Sequence, residues 1–284
     1  MFKTYYRLTK PGIVYGNSLA AIGGFLLASK GNIDLGLFVA MLVGISFIIA
    51  SACVANNYID RGIDAKMKRT KNRALVTGAV SGTQAITYAI ILGLIGVLSL
   101  GLFTNLLTTA IALIGYFFYV VMYGIAKRRS VHGTVVGSIA GAVPPVVGYC
   151  AVSGRFDVGA LLLFLVLVCW QIPHFYAIAI YRMKEYAAAS IPVLPLKRGM
   201  RNTKLHMLFY IVAFIVTTIL LSVFGYTGYT YLLVVVAFGL VWLGLCMKGF
   251  SATDDIHWAR KMFGFSLLVL LTFCGMISLN AMLP

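Results

Sequence analysis

The sequence predicts an all-α, polytopic membrane protein of nine transmembrane helices, and three observations carry the prediction. Of its 284 residues 61% are hydrophobic and only 11% charged, whereas soluble domains carry roughly 25% charged residues. The apolar residues fall in runs long enough to cross about 30 Å of hydrocarbon, which takes roughly 20 residues of helix. The 23 Lys and Arg residues, against 7 Asp and Glu, are sorted by link. With a mean hydropathy of +0.96 and no long polar stretch, residues 1–284 read as a single transmembrane domain.

The first run, 12–29, follows Lys3, Arg7 and Lys10. It is longer than the apolar core of a signal peptide and includes Tyr15, Asn17 and Ser18, so it reads as a retained helix. Runs 35–57, 84–103 and 105–124 are predominantly apolar and uncharged, and the first of them leads into a strongly polar link. Run 133–152 has glycines at 133, 137, 141 and 148, spaced for close helix packing, and the pair Pro144-Pro145, which predicts a break in the helix. Run 156–180 contains Pro173, a predicted kink that frees backbone carbonyls. Runs 205–224, 229–247 and 262–283 complete the set. The five cysteines all fall in or at the ends of these runs, without metal-ligand spacing, and read as small buried apolar side chains.

All the basic residues except Lys30 and Arg155 precede the first run or lie in alternate links: 58–83, 125–132, 181–204 and 248–261. This is the positive-inside pattern. It places the N-terminus and these links in the cytoplasm and the C-terminus outside, in the cytoplasmic (inner) membrane. The net charge of +16 is thereby explained as topology and contact with anionic membrane lipid, and no nucleic acid is needed to account for it. The two longest links follow the second and sixth runs, a weak sign of an old four-helix duplication in which two polar ends face one cavity.

The first of these ends reads "NNYIDRGIDAKMKRTKNR", 56–73. If the second helix continues through it, Asn56, Asp60 and Asp64 share a face at i, i+4, i+8, with Asn57 and Asp60 a second possible pair. Oxygen ligands stacked in this way suit Mg²⁺, which is usually held by one or two carboxylates together with phosphate oxygens and water. A second reading makes the carboxylates interfacial ion-pair partners of Arg61, Lys66 and Lys68. The basic run that follows anchors lipid; Lys68, Arg69 and Arg73 are its candidates for binding diphosphate.

The second end, "WQIPHFYAIAIYRMKEY", 170–186, puts His174, Ile178 and Arg182 on one helical face, with Tyr181 and Glu185 beside it. A histidine in an apolar helix is most often a hydrogen-bonded structural residue. An ionisable group at membrane depth is also expensive, and that makes it a functional candidate.

Together with "TKPGIVYGN" (9–17), "VHGTVVGSIAGAVPPVVGYCA" (131–151) and "IPVLP" (191–195), these motifs resemble the UbiA superfamily of intramembrane prenyltransferases nearly end to end. Within it, WQxPHF and IPVLP are similar to the heme-modifying branch. The resemblance implies nine helices around a central cavity and transfer of a farnesyl group from farnesyl diphosphate to the 2-vinyl group of heme B. Water is added, and heme O and diphosphate are the products. It implies that Asn56, Asp60 and Asp64 hold Mg²⁺, that Asn57, Lys68, Arg69 and Arg73 bind the diphosphate, and that Tyr181, Arg182, Lys184 and Glu185 form the second polar motif. Asp60, Asp64 and Glu185 would be catalytic, and His174 would meet the heme, as a candidate axial ligand. A terminal oxidase or a heme A synthase is the implied partner. Two positions depart from the pattern: Gly62, where relatives carry an acid, and Ala189, where the superfamily pairs a second acid with the one at 185. Two other readings stay open, a UbiA-type enzyme with an aromatic quinone-precursor acceptor and a membrane transporter.

Overall fold

The computed structural model describes residues 2–283, and no strand occurs among them. The helices are α1 (Phe2–Leu8), α2 (Pro11–Ser29), α3 (Leu35–Asp64), α4 (Gly82–Phe103), α5 (Leu106–Phe117), α6 (Tyr123–Arg129), α7 (Gly133–Gly141), α8 (Val143–Ser153), α9 (Val158–Tyr181), α10 (Met183–Ala188), α11 (Leu194–Val223), α12 (Tyr229–Lys248) and α13 (Asp255–Leu279). A π-helical turn, Phe118–Met122, joins α5 to α6. Among the described residues nine spans are long and apolar enough to cross a membrane: α2, α3, α4, α5 with α6, α7 with α8, α9, α11, α12 and α13.

α2 packs on α3, α8 and α13, while α9 packs on α7, α8, α11 and α13, so the two halves of the chain meet through α2, α8, α9 and α13. Of the α7/α8 span 61% is buried and of α9 67%, against 22% for α4 and for α5/α6. The former are interior helices; the latter present long apolar faces outward. The α2–α8 crossing depends on glycine: a Cβ on Gly148 would overlap the carbonyl oxygen of Ala21, and one on Gly24 that of Pro145.

Prolines act as their backbone chemistry dictates. The helix breaks at Ala142, and Pro144 and Pro145 sit in the first turn of α8, where no N–H is needed. Pro173 lies inside α9, which continues as one helix to Tyr181.

Four boundaries differ from the hydropathy reading, the mildest being the end of α6 at Arg129 rather than 124. α3 runs to Asp64 rather than ending near 57. α11 begins at Leu194 rather than 205 and is interrupted at Gly199, whose φ of 80° favours glycine. α13 begins at Asp255, behind the cap supplied by the Asp254 side chain, rather than at 262. In each case helix extends into charged sequence beyond the apolar run, where polar side chains lower the hydropathy without lowering helix propensity. Lys204, read as a topology signal, is in fact a buried brace: its Nζ donates to the Gly249 carbonyl at 2.6 Å and to Asp255 Oδ1, tying α11 to the start of α13.

Candidate active site

The last turns of α3 carry Asn56, Asn57, Asp60 and Asp64 at 3%, 3%, 2% and 4% exposure. Because the helix continues through Asp64, the i, i+4, i+8 face exists as predicted. Buried carboxylates need partners, and theirs come from far along the chain. Lys127 Nζ donates to Asp60 Oδ2 at 2.6 Å. Arg128 donates to Asp60 Oδ1 at 3.1 Å and to the Ile59 carbonyl at 2.7 Å. Arg73 donates to Asp64 Oδ2 at 2.6 Å and to Asn57 Oδ1 at 3.1 Å. Lys10 donates to Asn56 Oδ1 at 2.7 Å.

Lys10 takes a left-handed backbone conformation, φ 52°, directly before Pro11, where the proline ring disfavours the ordinary helical region. Burial lowers its ammonium pKa to about 8. Three cations thus meet the two carboxylates and a fourth, Lys10, meets the carboxamide beside them, leaving a positive excess that a multiply charged anion would neutralise.

The ion-pair reading holds in kind, but its expected partners were wrong. Arg61 turns away, donating to the Tyr58 carbonyl at 2.7 Å and lying 4.2 Å over the Tyr58 ring. Lys66, Lys68 and Arg69 are exposed on the following link and make no ion pair among the described residues. Of the three proposed diphosphate binders, only Arg73 reaches the carboxylates. Lys10, Lys127 and Arg128 were missed, although the sequence shows them as a Lys-Pro step and a Lys-Arg-Arg run that were read only for topology.

Gly62 lies off this face. It lines an open groove of about 520 Å³ with Ile59, Ile63, Lys66, Arg128 and Ser190, and a Cβ there would meet nothing within 4 Å.

At the second polar end α9 stops at Tyr181, and Arg182 has φ −109°, ψ 17°. Arg182 is the cap of the helix, its N–H still on the Ile178 carbonyl at 3.0 Å. Its side chain pairs with Glu185 Oε1 at 2.9 Å, the guanidinium 5.3 Å from the Tyr181 ring centre. Glu185 Oε2 is sealed without a partner, and Lys184 is exposed. The two polar ends meet through an apolar contact: Met67 packs with Ala189 and Ile191, flanked by Ile63, Tyr186 and Val193. Burial pushes the Tyr186 hydroxyl up to about 12, with Lys127, Arg69 and Arg182 near enough to pull against it.

His174, 8% exposed, is wedged between α9 and α13. Its Nδ1 is 2.7 Å from Ser266 Oγ, and its ring lies 4.8 Å from Trp170 and 4.9 Å from Phe263.

The donors on α3 are all oxygens. Among the described residues no group of three His, Cys, Asp or Glu side chains gathers to cage a metal. Two carboxylates and a carboxamide, with phosphate oxygens and water completing the sphere, are a donor set of the kind Mg²⁺ takes; Asn56 Oδ1, both Asp60 oxygens and Asp64 Oδ2 are each held by a cation here, which a metal would displace toward the diphosphate. The Nδ2 of Asn56 is a sealed donor without an acceptor, one more group an anion's oxygen would satisfy.

The sequence model of the UbiA prenyltransferase family matches residues 18–271. The chain belongs to the UbiA prenyltransferase family. As a UbiA protein it is a multi-pass membrane prenyltransferase. It is 52% identical to a protoheme IX farnesyltransferase of Sodalis glossinidius (strain morsitans) and 50% identical to one of Escherichia coli (strain K12); each match covers 100% of this chain and 96% of the relative. The UbiA fold recurs in a digeranylgeranylglyceryl phosphate synthase structure, with a TM-score of 0.83 at 20% identity over 99% of this chain and 98% of that one. It recurs again in a UbiA homolog from Archaeoglobus fulgidus bound to GPP and Mg²⁺, with a TM-score of 0.71 at 15% identity over 97% and 99%.

Proposed function

We propose that this chain, as one transmembrane domain, transfers the farnesyl group of farnesyl diphosphate to the 2-vinyl group of heme B, with addition of water, giving heme O and diphosphate. The observation that carries the acceptor is full-length identity of about half to relatives named for protoheme IX. That similarity disfavours a quinone-precursor acceptor. The gathering of ionisable groups at one end of the bundle, rather than deep in several spans, disfavours a transporter.

The diphosphate is held at the end of α3. Lys10, Arg73, Lys127 and Arg128 would meet its oxygens, and Asn56, Asp60 and Asp64 would hold Mg²⁺. When bound, the metal neutralises charge on the leaving diphosphate. The basic side chains stabilise the departing oxygens as the allylic C–O bond breaks and its electron pair leaves with diphosphate. The apolar bundle excludes bulk water from the farnesyl cation. The terminal vinyl carbon of heme B bonds to C1 of the farnesyl group, and one water adds to the resulting carbocation next to the ring and loses a proton. His174 contacts the heme.

Lys68, Arg69 and Lys184, exposed on the links, would meet the diphosphate before it is seated, and Tyr181, Arg182 and Glu185 form the second wall of the site. The positive-inside pattern supports placing this end in the cytoplasm of the cytoplasmic (inner) membrane, the C-terminus outside. A terminal oxidase or a heme A synthase would take the product. The test is heme O formation by purified enzyme with Mg²⁺, heme B and farnesyl diphosphate, against 4-hydroxybenzoate as acceptor. Prenylated 4-hydroxybenzoate without heme O would refute the assignment.

A further inference from the structure

We propose that Ser266 is a positioning residue that fixes the tautomer of His174 and so directs the Nε2 lone pair at the heme iron of the acceptor. The proposal rests on the reading that heme B is the acceptor and meets His174, and it adds how that contact is built.

The proton assignment follows from the hydrogen bonds. Ser266 Oγ lies 2.6 Å from the Phe263 carbonyl oxygen and 2.7 Å from His174 Nδ1. A carbonyl oxygen only accepts, so the single hydroxyl hydrogen of Ser266 is committed to Phe263. The hydroxyl oxygen is then the acceptor toward the imidazole, and Nδ1 must carry the hydrogen. A neutral imidazole protonated at Nδ1 presents a free lone pair at Nε2. Among the described residues Nε2 has no hydrogen-bond partner, and it is not one of the polar atoms sealed without one.

The ring is also fixed in orientation. It stacks on Trp170 at 4.8 Å and 24° and lies against Phe263 at 4.9 Å and 34°. Trp170 Nε1 donates to the Ser266 backbone carbonyl at 2.7 Å. The same residue of α13 thus anchors both the imidazole and the indole that covers it.

A merely structural tie between α9 and α13 would need only one of these bonds and would work with either tautomer. The observed set leaves Nε2 as the one nitrogen without a partner and holds the ring in place. A second partner of this kind on a metal-bound imidazole is worth about 10- to 100-fold in metal affinity.

The experiment is titration of full-length enzyme in nanodiscs with heme B. Resonance Raman of the ferrous complex reads the iron–histidine stretch, and heme O formation is measured on the same samples. Wild type should show that band, and His174→Ala should lose it and regain it with added imidazole. Ser266→Ala should bind heme B about 10-fold more weakly with the band shifted to lower frequency, because Nδ1–H has lost its acceptor. Ser266→Thr, which keeps the hydroxyl, should restore both. Ser266→Cys, nearly isosteric with a poorer acceptor, should shift the band part of the way, and it decides the question should Ser266→Ala fail to fold. An unshifted band in Ser266→Cys or in folded Ser266→Ala, with the band still lost in His174→Ala, overturns the role of Ser266 and leaves His174 as ligand. A band retained in His174→Ala overturns the ligand and the proposal together, while heme O formation by wild type reports separately on the reaction.

Discussion

The two polar ends of the bundle are built on opposite plans. The end of α3 presents four buried polar side chains on one helix and recruits Lys10, Arg73, Lys127 and Arg128 from elsewhere to meet them. The end of α9 dissolves into a short local pair, Arg182 with Glu185, and the position four residues on, Ala189, is buried in apolar packing against Met67. The first end is therefore organised for charge, the second for closing the first. At Ala189 this chain has a contact that docks the two links together.

That contrast makes ranked predictions. The largest effect falls on the α3 carboxylates: Asp60→Asn and Asp64→Asn should each lower heme O formation by at least about 10²-fold, and chelation of Mg²⁺ should do the same, because both remove charge neutralisation at the leaving group. Equal loss from Glu185→Gln would break the contrast, since that residue is expected to cost less than about 10-fold.

Next come the recruited cations. Lys127→Met removes one of two partners from Asp60, which is 2% exposed. It should weaken thermal stability by about 3 kcal/mol and lower turnover by about 10²-fold. Lys68→Met, on the exposed link, should do neither. Thermal melting in detergent alongside kinetics at varied farnesyl diphosphate separates the two effects.

The order of these effects also separates what the sequence exposes from what it hides. The face of Asn56, Asp60 and Asp64 is legible because helical periodicity is local: once α3 continues, spacing alone places the three side chains together. Lys127 and Arg128 lie 67 and 68 positions from Asp60, and Lys10 lies 46 from Asn56. No periodicity reports such pairings, and each of these cations had a complete explanation as a topology signal. Ser266 is hidden for the same reason, 92 positions from His174. The nine spans were legible because hydrocarbon thickness imposes their length. The starts of α11 and α13 were not, because their first turns are charged, so hydropathy places them late.

The docking contact gives a smaller effect with a definite sign. If the second end lacked only an acid, Ala189→Asp would restore a site and raise activity. Its 7% exposure among Met67 and Ile191 predicts the reverse: a carboxylate there is forced into apolar packing, or turns out toward Lys66 and Arg128 on the rim of the groove, and either way the links should separate. Met67→Ala should cost about 2 kcal/mol by leaving a cavity in the same cluster, and both variants should increase protease cleavage between 65 and 80. Unchanged cleavage in both would mean that the links do not depend on this contact.

The smallest effect is expected at Gly62, although it stands inside the motif. Its neighbours at 60 and 64 point into the site, but the helix carries position 62 to the opposite side, into the groove beside Lys66 and Arg128. With open space for a Cβ, Gly62→Asp introduces no clash, and replacing glycine within a helix gains a few tenths of a kcal/mol from backbone entropy. A carboxylate on that side would offer Arg128 a competing partner, drawing it from Asp60 by at most the modest energy of an exposed pair, about 0.2–1 kcal/mol. Turnover should stay within about 2-fold of wild type at saturating substrate, the small residual change growing as salt is lowered. A change of 10-fold or more would place position 62 within the site, and the charge set around Asp60 would then have to include that face of α3.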